Sequence, residues 1–405
     1  MFASTEYAHS VWGGVMWRYL TGLNRADLKE ELGSIGVDLK HLDRFDGINH
    51  RFFVKAAKVP STQLDLLKEK IDSFNETILF SPSGDGEKFN IIFSLSHSAL
   101  KEFQNKVASF RELVELTQLL RNVSLDSWHY ISQDKELKID RTLIMGILNV
   151  TPDSFSDGGK YFNEESSLTH AMEMSEAGAD IIDIGGESTR PGSTPVSIDE
   201  EWRRISGVID RLLKEEHVVL SVDTYKSEIA RRALEAGAHI INDISGLTFD
   251  PAMARVIADY RVPVILMHIK GTPRDMQKNP SYRNLMNEIY DFLNGQCRIA
   301  EENGINQIIV DPGIGFGKRP EDNYELIRRI GEFKSLGYPL LSGSSRKSFI
   351  GFGLKNPQAD RTVGSITSAV YAILNGANIV RVHDVDETRQ AIQMINSIEN
   401  FKAIT

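Results

Sequence analysis

The sequence predicts a (β/α)8 barrel, the TIM barrel, preceded by a small α+β domain, and three observations carry that expectation. Eight short apolar runs recur between Leu143 and His383, helical stretches separate them, and each run ends in a polar cluster. The runs read L-I-M-G-I-L, D-I-I-D-I, V-V-L-S-V, H-I-I-N-D-I, P-V-I-L-M, Q-I-I-V, P-L-L-S and N-I-V-R-V. They are β-branched and nearly continuous rather than alternating, as parallel strands buried on both faces require. An open doubly wound sheet concentrates its ligand chemistry in one switch-point crevice. Polar clusters after all eight runs instead describe a closed barrel with its site on the loops that follow the strands.

Ahead of the barrel, a helix over 24–35 leads to the strand-like R-F-F-V-K-A-A at 51–57 and a helix over 61–74. Strands at 77–81 and 89–95 flank the turn S-P-S-G-D-G, and helices follow at 97–108 and 110–121. That order suggests an α+β unit of the ferredoxin-like kind. The polar stretch S-Q-D-K-E-L-K at 132–138 marks the boundary, giving an N-terminal extension over 1–138 and a barrel over 139–405. The extension shows no phosphate loop, metal cluster or nucleophile–base pair, so a scaffold or assembly role is expected of it. Within the barrel, helices are expected at 164–178, 198–215, 226–236, 250–260, 281–303, 320–331, 361–376 and 385–400. In the second of these, Ile205, Val208, Ile209, Leu212 and Leu213 recur at helical spacing beside Arg203, Arg204 and Arg211.

Composition excludes several function classes. The chain has 405 residues, 41% hydrophobic and 25% charged, which is ordinary for a soluble protein with room for two domains. A net charge of −10 argues against a nucleic-acid surface, which needs a basic stripe. The sole cysteine, Cys297, forms no internal disulfide and fits a packing role in a reducing cytoplasm. No stretch is long and apolar enough to span a membrane, and the N-terminus lacks the basic start of a signal peptide.

The clusters carry the chemistry. They read N-V-T-P-D-S-F-S-D-G-G from Asn149, G-G-E-S-T-R-P-G from Gly185, D-T from Asp223 and N-D from Asn242. They continue as M-H from Met267, D-P-G-I-G-F-G from Asp311, G-S-S-R-K-S from Gly343 and R-V-H-D from Arg381. Glycine admits close backbone approach to a ligand, Arg and Lys neutralise phosphate, and Asp and Asn read planar donor–acceptor edges.

On these motifs, residues 143–400 resemble the dihydropteroate synthase family of pterin-binding barrels; residues 1–140 lie outside the resemblance. It implies condensation of 6-hydroxymethyl-7,8-dihydropterin diphosphate with p-aminobenzoate, giving 7,8-dihydropteroate and pyrophosphate. Mg2+, a homodimer packed through helices near the C-terminal end of the barrel, and membership of the sulfonamide target class are implied with it. Asp223, Asn242, Asp311, Met267 and Lys347 would hold the pterin, whose amide-and-amine edge needs paired donors and acceptors. The alternative for Asp223 and Asn242 is that they cap the following helices.

Arg381 and His383, two apart on one strand face, would take the diphosphate with the Thr189 hydroxyl. His383 has the alternative of a buried structural histidine. Asn149 resembles the family's magnesium ligand, one amide oxygen suiting a cation that keeps its waters. Loop 1 (151–159, with Phe155 and Asp157) and loop 2 (188–194, with Arg190 and Pro191) would close over the substrates and exclude water. The family is thought to lose pyrophosphate before the amine attacks, and Asp157 would set a negative charge near the resulting cation. Asp157, Arg190 and Lys347 are thus the candidates for catalysis, while Ser348, Phe316 and Pro191 would receive p-aminobenzoate. A methyl-carrying pterin barrel, a non-catalytic pterin-binding protein and a bifunctional enzyme using the extension remain as alternatives. The first has no use for the diphosphate residues, and the second none for closing loops.

Overall fold

The structure of the protein, a computed structural model, describes residues 15–45, 51–74, 76–84, 87–151, 164–215 and 218–400. The chain divides into two compact units, Met1–Asp126 with Arg328–Tyr338, and Ser127–Ile327 with Pro339–Thr405.

The first unit contains β1 (Met16–Leu20), α1 (Arg25–Ser34), β2 (Arg51–Pro60), α2 (Ser61–Asp72), β3 (Ile78–Ser83), β4 (Lys88–Ser96), α3 (His97–Val107) and α4 (Val114–Val123). Its antiparallel sheet has the order β1-β2-β4-β3. The α+β expectation holds, and β2, α2, β3, β4 and α3 keep the β-α-β-β-α run of the ferredoxin-like motif; the remaining strand differs, because the one beside β2 comes first in the chain rather than last. The unexpected β1 makes the difference. Its M-W-R-Y-L pairs along β2 and places an α-connection between the first two strands. Period-two alternation then sorts the sheet into two faces. Phe52, Val54 and Ala56 pack with Leu64, Leu67, Phe103 and Leu120 of the helices α2, α3 and α4. Leu20 and Phe53 face Leu28 and Leu32 of α1, whose start is fixed by a capping box between Asn24 and Asp27.

On the α1 side the same alternation buries Arg18 and Lys55. The Glu31 carboxylate takes Arg18 at 2.8 Å, Lys55 at 2.6 Å and Arg329 at 2.5 Å, and Arg329 also pairs with Glu332 at 2.6 Å. Burial alone opposes a charge on Glu31, but Arg18, Lys55 and Arg329 outweigh it and hold its pKa well below the usual carboxylate range. Arg329 and Glu332 come from the sequence between two barrel elements, so this unit is completed by residues some three hundred positions downstream.

The second unit opens with the hairpin β5 (Trp128–Ser132) and β6 (Lys135–Ile139). The polar stretch expected to mark the domain boundary is therefore the turn and second strand of this hairpin, with Gln133 in the left-handed region at φ 55°. Tyr130, Leu137 and Ile139 pack into the lower barrel interior against Leu143, Met145, Ile181, Ile240, Ile265, Ile309, Leu341 and Ile379. The Tyr130 hydroxyl donates to Ile308 O at 2.7 Å. The hairpin closes the N-terminal end of the barrel, so the compact division falls at Asp126 rather than at 138.

The barrel follows as β7 (Leu143–Asn149), α5 (Glu164–Glu176), β8 (Ile181–Gly185), α6 (Ile198–Leu212), β9 (Val219–Asp223), α7 (Ser227–Ala236), β10 (Ile240–Asp243), α8 (Met253–Tyr260), β11 (Val264–Met267), α9 (Leu285–Glu302), β12 (Ile308–Asp311), α10 (Pro320–Arg328), β13 (Leu341–Ser342), α11 (Ser348–Gly353), α12 (Thr362–Leu374), β14 (Ile379–Val382) and α13 (Val385–Glu399). The eight parallel strands run β12-β11-β10-β9-β8-β7-β14-β13, and a parallel bridge from Val310 to Leu340 closes the ring. Strand alternation sets what comes next. A two-residue step keeps a side chain on the same face, so above Ile181, Ile240, Ile309 and Ile379 stand Asp183, Asn242, Asp311 and Arg381. The interior changes from aliphatic to polar in one layer.

Candidate active site

That polar layer is a bonded set. Arg381 Nε donates to Asp183 Oδ2 at 2.6 Å and its Nη2 to Asp223 Oδ2 at 2.8 Å; Asn242 Nδ2 donates to Asp183 Oδ2 at 3.0 Å. The other carboxylate oxygens, Asp183 Oδ1 and Asp223 Oδ1, are buried and accept no hydrogen bond among the described residues. Buried acceptors of this kind call for a donor-bearing ligand. Burial pushes the Asp223 carboxyl up to about 7, against the pull of Arg381 and with the help of the Asp183 charge. Asp311 accepts from Gly313 N at 2.7 Å, and burial raises its pKa as well.

Above this floor lies a cavity of about 900 Å³. Asn149, Thr189, Arg190, Pro191, Phe316, Lys347, Ser348, Arg381 and His383 all line it, so nine of the expected residues meet there. Asp223, Asn242 and Asp311 do not line it; Arg381 bonds to Asp223, and Asn242 bonds to Asp183. Met267 does not line it either. It packs with Ile244, Ile269, Met276 and Phe316 in an apolar cluster, and Met276 reaches the cavity instead. Asp157 and Phe155 of loop 1 lie outside the described residues.

Lys347 Nζ donates to Ile314 O and stands 4.3 Å from the centre of the Phe316 ring. Burial pulls its pKa down to about 7, with Asp311 opposing and Arg381 assisting. Gly315, at φ 84°, lets the lysine stem pass, since a Cβ there would meet Lys347 Cδ at 2.5 Å. His383 Nδ1 lies 3.0 Å from Ser345 Oγ. Burial and then the positive charges of Arg381 and Arg346 hold its pKa down to about 3.

Four features were not anticipated. Asp183 sits inside an apolar run; a carboxylate within D-I-I-D-I was the available signal. Arg346, just before Lys347, takes the left-handed conformation at φ 55° while its guanidinium pairs with Asp384. Its backbone N–H donates to Ser365 Oγ at 2.8 Å and its carbonyl accepts from Arg361 at 2.9 Å. His170, Arg346 and Arg361 line the cavity as further basic groups. Finally, Glu187, Glu201, Thr224, Tyr225 and Lys226 form a buried network at the base of loop 2.

A closed parallel barrel with paired carboxylates and an amide in its floor and Arg, Lys and His at its mouth defines a barrel enzyme for a flat, donor-bearing, anionic ligand. The chain belongs to the pterin binding enzyme family, which matches residues 145–383. It is 47% identical to the dihydropteroate synthase of Synechocystis over 261 residues, 64% of this chain and 90% of that one. With the Escherichia coli K12 dihydropteroate synthase it shares 43% over 273 residues, 67% of this chain and 96% of the other. Among solved structures, dihydropteroate synthase from Yersinia pestis with a sulfonamide drug matches at TM-score 0.64 and 43% identity, covering 68% of this chain and 100% of that one. The Xanthomonas albilineans enzyme with 4-aminobenzoic acid matches at TM-score 0.64 and 41% identity, with the same coverage.

Proposed function

We infer that the barrel is a dihydropteroate synthase, joining 6-hydroxymethyl-7,8-dihydropterin diphosphate to p-aminobenzoate with release of pyrophosphate. The observation that carries this reading is one cavity with a basic mouth above two buried carboxylate oxygens, Asp183 Oδ1 and Asp223 Oδ1, that accept no hydrogen bond among the described residues. A pterin supplies those donors from its amino group and ring N–H, with Asn242 and Lys347 meeting the remaining edge. Arg381 then faces both the ring and the leaving group. His383, Arg190 and the Thr189 hydroxyl receive the diphosphate, and neutralising it favours departure. An anion beside His383 reverses the sign of its surroundings, so the ring takes up a proton as the diphosphate binds. Phe316 and Pro191 flank the space for the aryl ring, and Ser348 takes the carboxylate end. The aryl amine is unprotonated at neutral pH and attacks the exposed methylene carbon without a dedicated base.

Among the described residues no cluster of three or more His, Cys, Asp or Glu could hold a metal. Asn149, at the cavity wall, nevertheless fits Mg2+, which retains several waters and draws its other ligands from substrate phosphates. When bound, it would supply further neutralisation of the leaving diphosphate.

Homodimerisation is proposed through the C-terminal helices. Val363, Tyr371 and Leu374 on α12 and Met394 and Ile398 on α13 are exposed apolar side chains, and patches of this kind favour association. Sedimentation at micromolar concentration tests it. Among the described residues no helix is long and apolar enough to cross a membrane, and the single buried Cys297 supports a cytoplasmic setting. The decisive experiment for the reaction is incubation with the pterin diphosphate, p-aminobenzoate and Mg2+. Dihydropteroate and pyrophosphate should form in equal amounts; the absence of both would refute the reading.

A further inference from the structure

We propose that Lys226 is the positioning residue of loop 2, pinning the two ends of the loop together so that Thr189, Arg190 and Pro191 reach the substrates in one fixed arrangement. This rests on the reading above and adds a residue outside the cavity to it. Lys226 does not line the cavity, and its ammonium group has three partners for three protons. It donates to Glu187 Oε2 at 2.7 Å, to Val196 O at 2.7 Å and to Glu201 Oε2 at 2.6 Å. Glu187 and Val196 flank loop 2 on its two sides, and they are also bonded directly, Val196 N donating to Glu187 Oε2 at 2.9 Å.

Each remaining oxygen is used. Glu187 Oε1 accepts from the Tyr225 hydroxyl at 2.5 Å, and Glu201 Oε1 accepts from Thr224 Oγ1 at 2.9 Å. Thr224, Tyr225 and Lys226 follow Asp223 directly, so one short segment carries both the floor carboxylate and the clamp on the loop above it. Tyr225 also packs against the cluster of Met267, Met276 and Phe316.

Among the described residues loop 2 has little else to locate it. Arg190 and Pro191 are exposed, and among the described residues the tip is tethered to another segment by one backbone bond, Gly192 N to Pro273 O at 3.0 Å. The position of Thr189 and Arg190 therefore depends on the base of the loop. The side chains of the clamp are hidden from water, with Glu201 at 1%, Glu187 at 7% and Lys226 at 15% exposure. Two carboxylates share one ammonium there. Without it the pair is left with one carboxylate that must take up a proton or face a buried like charge, and the bond to Val196 O is lost in either case.

The test compares wild type, K226M, E201Q/K226M and E187Q, using 6-hydroxymethylpterin without its diphosphate as a binding probe alongside steady-state turnover. K226M should bind the probe within about threefold of wild type while kcat/KM for the pterin diphosphate falls about 100-fold, the scale of an ångström-sized misplacement. In E201Q/K226M the amide introduced at position 201 can donate to Glu187 and one buried charge is gone, so about tenfold of the loss should return. E187Q keeps an acceptor for Val196 and Lys226 and buries no new charge; a loss of about fivefold or more is expected, and it carries the test if K226M does not fold. Turnover of folded K226M within threefold of wild type overturns the proposal. So does loss of probe binding in step with turnover, a double variant no better than the single, or an unchanged E187Q. Wild type run alongside separates the two readings, because failure to form dihydropteroate there refutes the assigned reaction rather than the clamp.

Discussion

Replacing Asp183 with Asn changes one buried charge and almost no volume. Asp183 Oδ2 accepts from Arg381 Nε at 2.6 Å and from Asn242 Nδ2 at 3.0 Å, while Oδ1 takes no donor among the described residues. An Asn carbonyl at the Oδ2 position keeps both bonds but turns the ion pair with Arg381 into a bond from a cation to a neutral carbonyl, a loss of about 1–2 kcal/mol. Its amide nitrogen then occupies the Oδ1 position, adding about 1–3 kcal/mol for buried donors that find no acceptor. Removing the Asp183 charge works the other way, because that charge raises the Asp223 pKa. We expect D183N to lose about 1–3 kcal/mol of stability, lowering the melting temperature by several degrees. Arg381 and Asn242 are then held by a weaker acceptor, so the floor is less firmly fixed and the affinity for 6-hydroxymethylpterin should fall about tenfold. The acid limb of pterin binding should also move to lower pH as Asp223 becomes easier to ionise. Differential scanning calorimetry and isothermal titration between pH 5 and 9 measure all three. A variant with unchanged melting temperature, pterin affinity within twofold and an unmoved acid limb would show that Asp183 does not organise the floor.

In the wild type, pterin should meet an ionised Asp223 and a protonated Lys347, both brought to about 7 by burial. Affinity should therefore fall below pH 7 as Asp223 takes a proton and above it as Lys347 loses one; a flat profile would refute this. p-Aminobenzoate should bind poorly alone and well once pterin and pyrophosphate are in place, because the anion orders the basic mouth; equal calorimetric affinity in both conditions would reject that coupling. Pyrophosphate binding should take up protons near pH 6 as His383 is drawn up from about 3, detectable as a dependence of binding enthalpy on buffer; no dependence would place the anion away from His383. A chain of 127–405 should turn over within about threefold per folded molecule but lose soluble yield, since Arg329, Phe333 and Glu332 are buried within the first unit. A chain starting at 133 should be far less stable, because it deletes β5 and removes Tyr130 from the barrel interior. Equal melting temperatures for the two chains would contradict the role given to the hairpin.

What could be read from sequence follows the same physics that builds the barrel. Asn242, Asp311 and Arg381 were legible because each breaks an aliphatic run at its end, where a parallel strand meets its loop. Asp183 was hidden by its position inside such a run, where a buried charge needs a partner that only the closed ring supplies. Strand β1 was missed because Arg18 interrupts five residues that otherwise read as apolar. The polar S-Q-D-K reads as a domain boundary rather than a hairpin turn, because Tyr130, Leu137 and Ile139 alternate too sparsely to announce a strand pair. Arg328–Tyr338 continues a helical pattern, and nothing local to it says that its charges answer Arg18 and Glu31 from the far end of the chain.

The late arrival of Arg328–Tyr338 bears on how the polypeptide is made. An N-terminal unit ordinarily finishes folding while the rest of the chain is still on the ribosome. Here Glu31 lacks Arg329, and Arg18 lacks Glu332, until synthesis has passed Tyr338. At usual elongation rates that interval is roughly 10–40 s. Through it, the first unit carries an unfinished ionic centre, and six of the eight barrel strands emerge before it can be completed. Rare codons or a translational pause between Asp126 and Arg328 would lengthen the exposure, whereas a pause after Tyr338 would not.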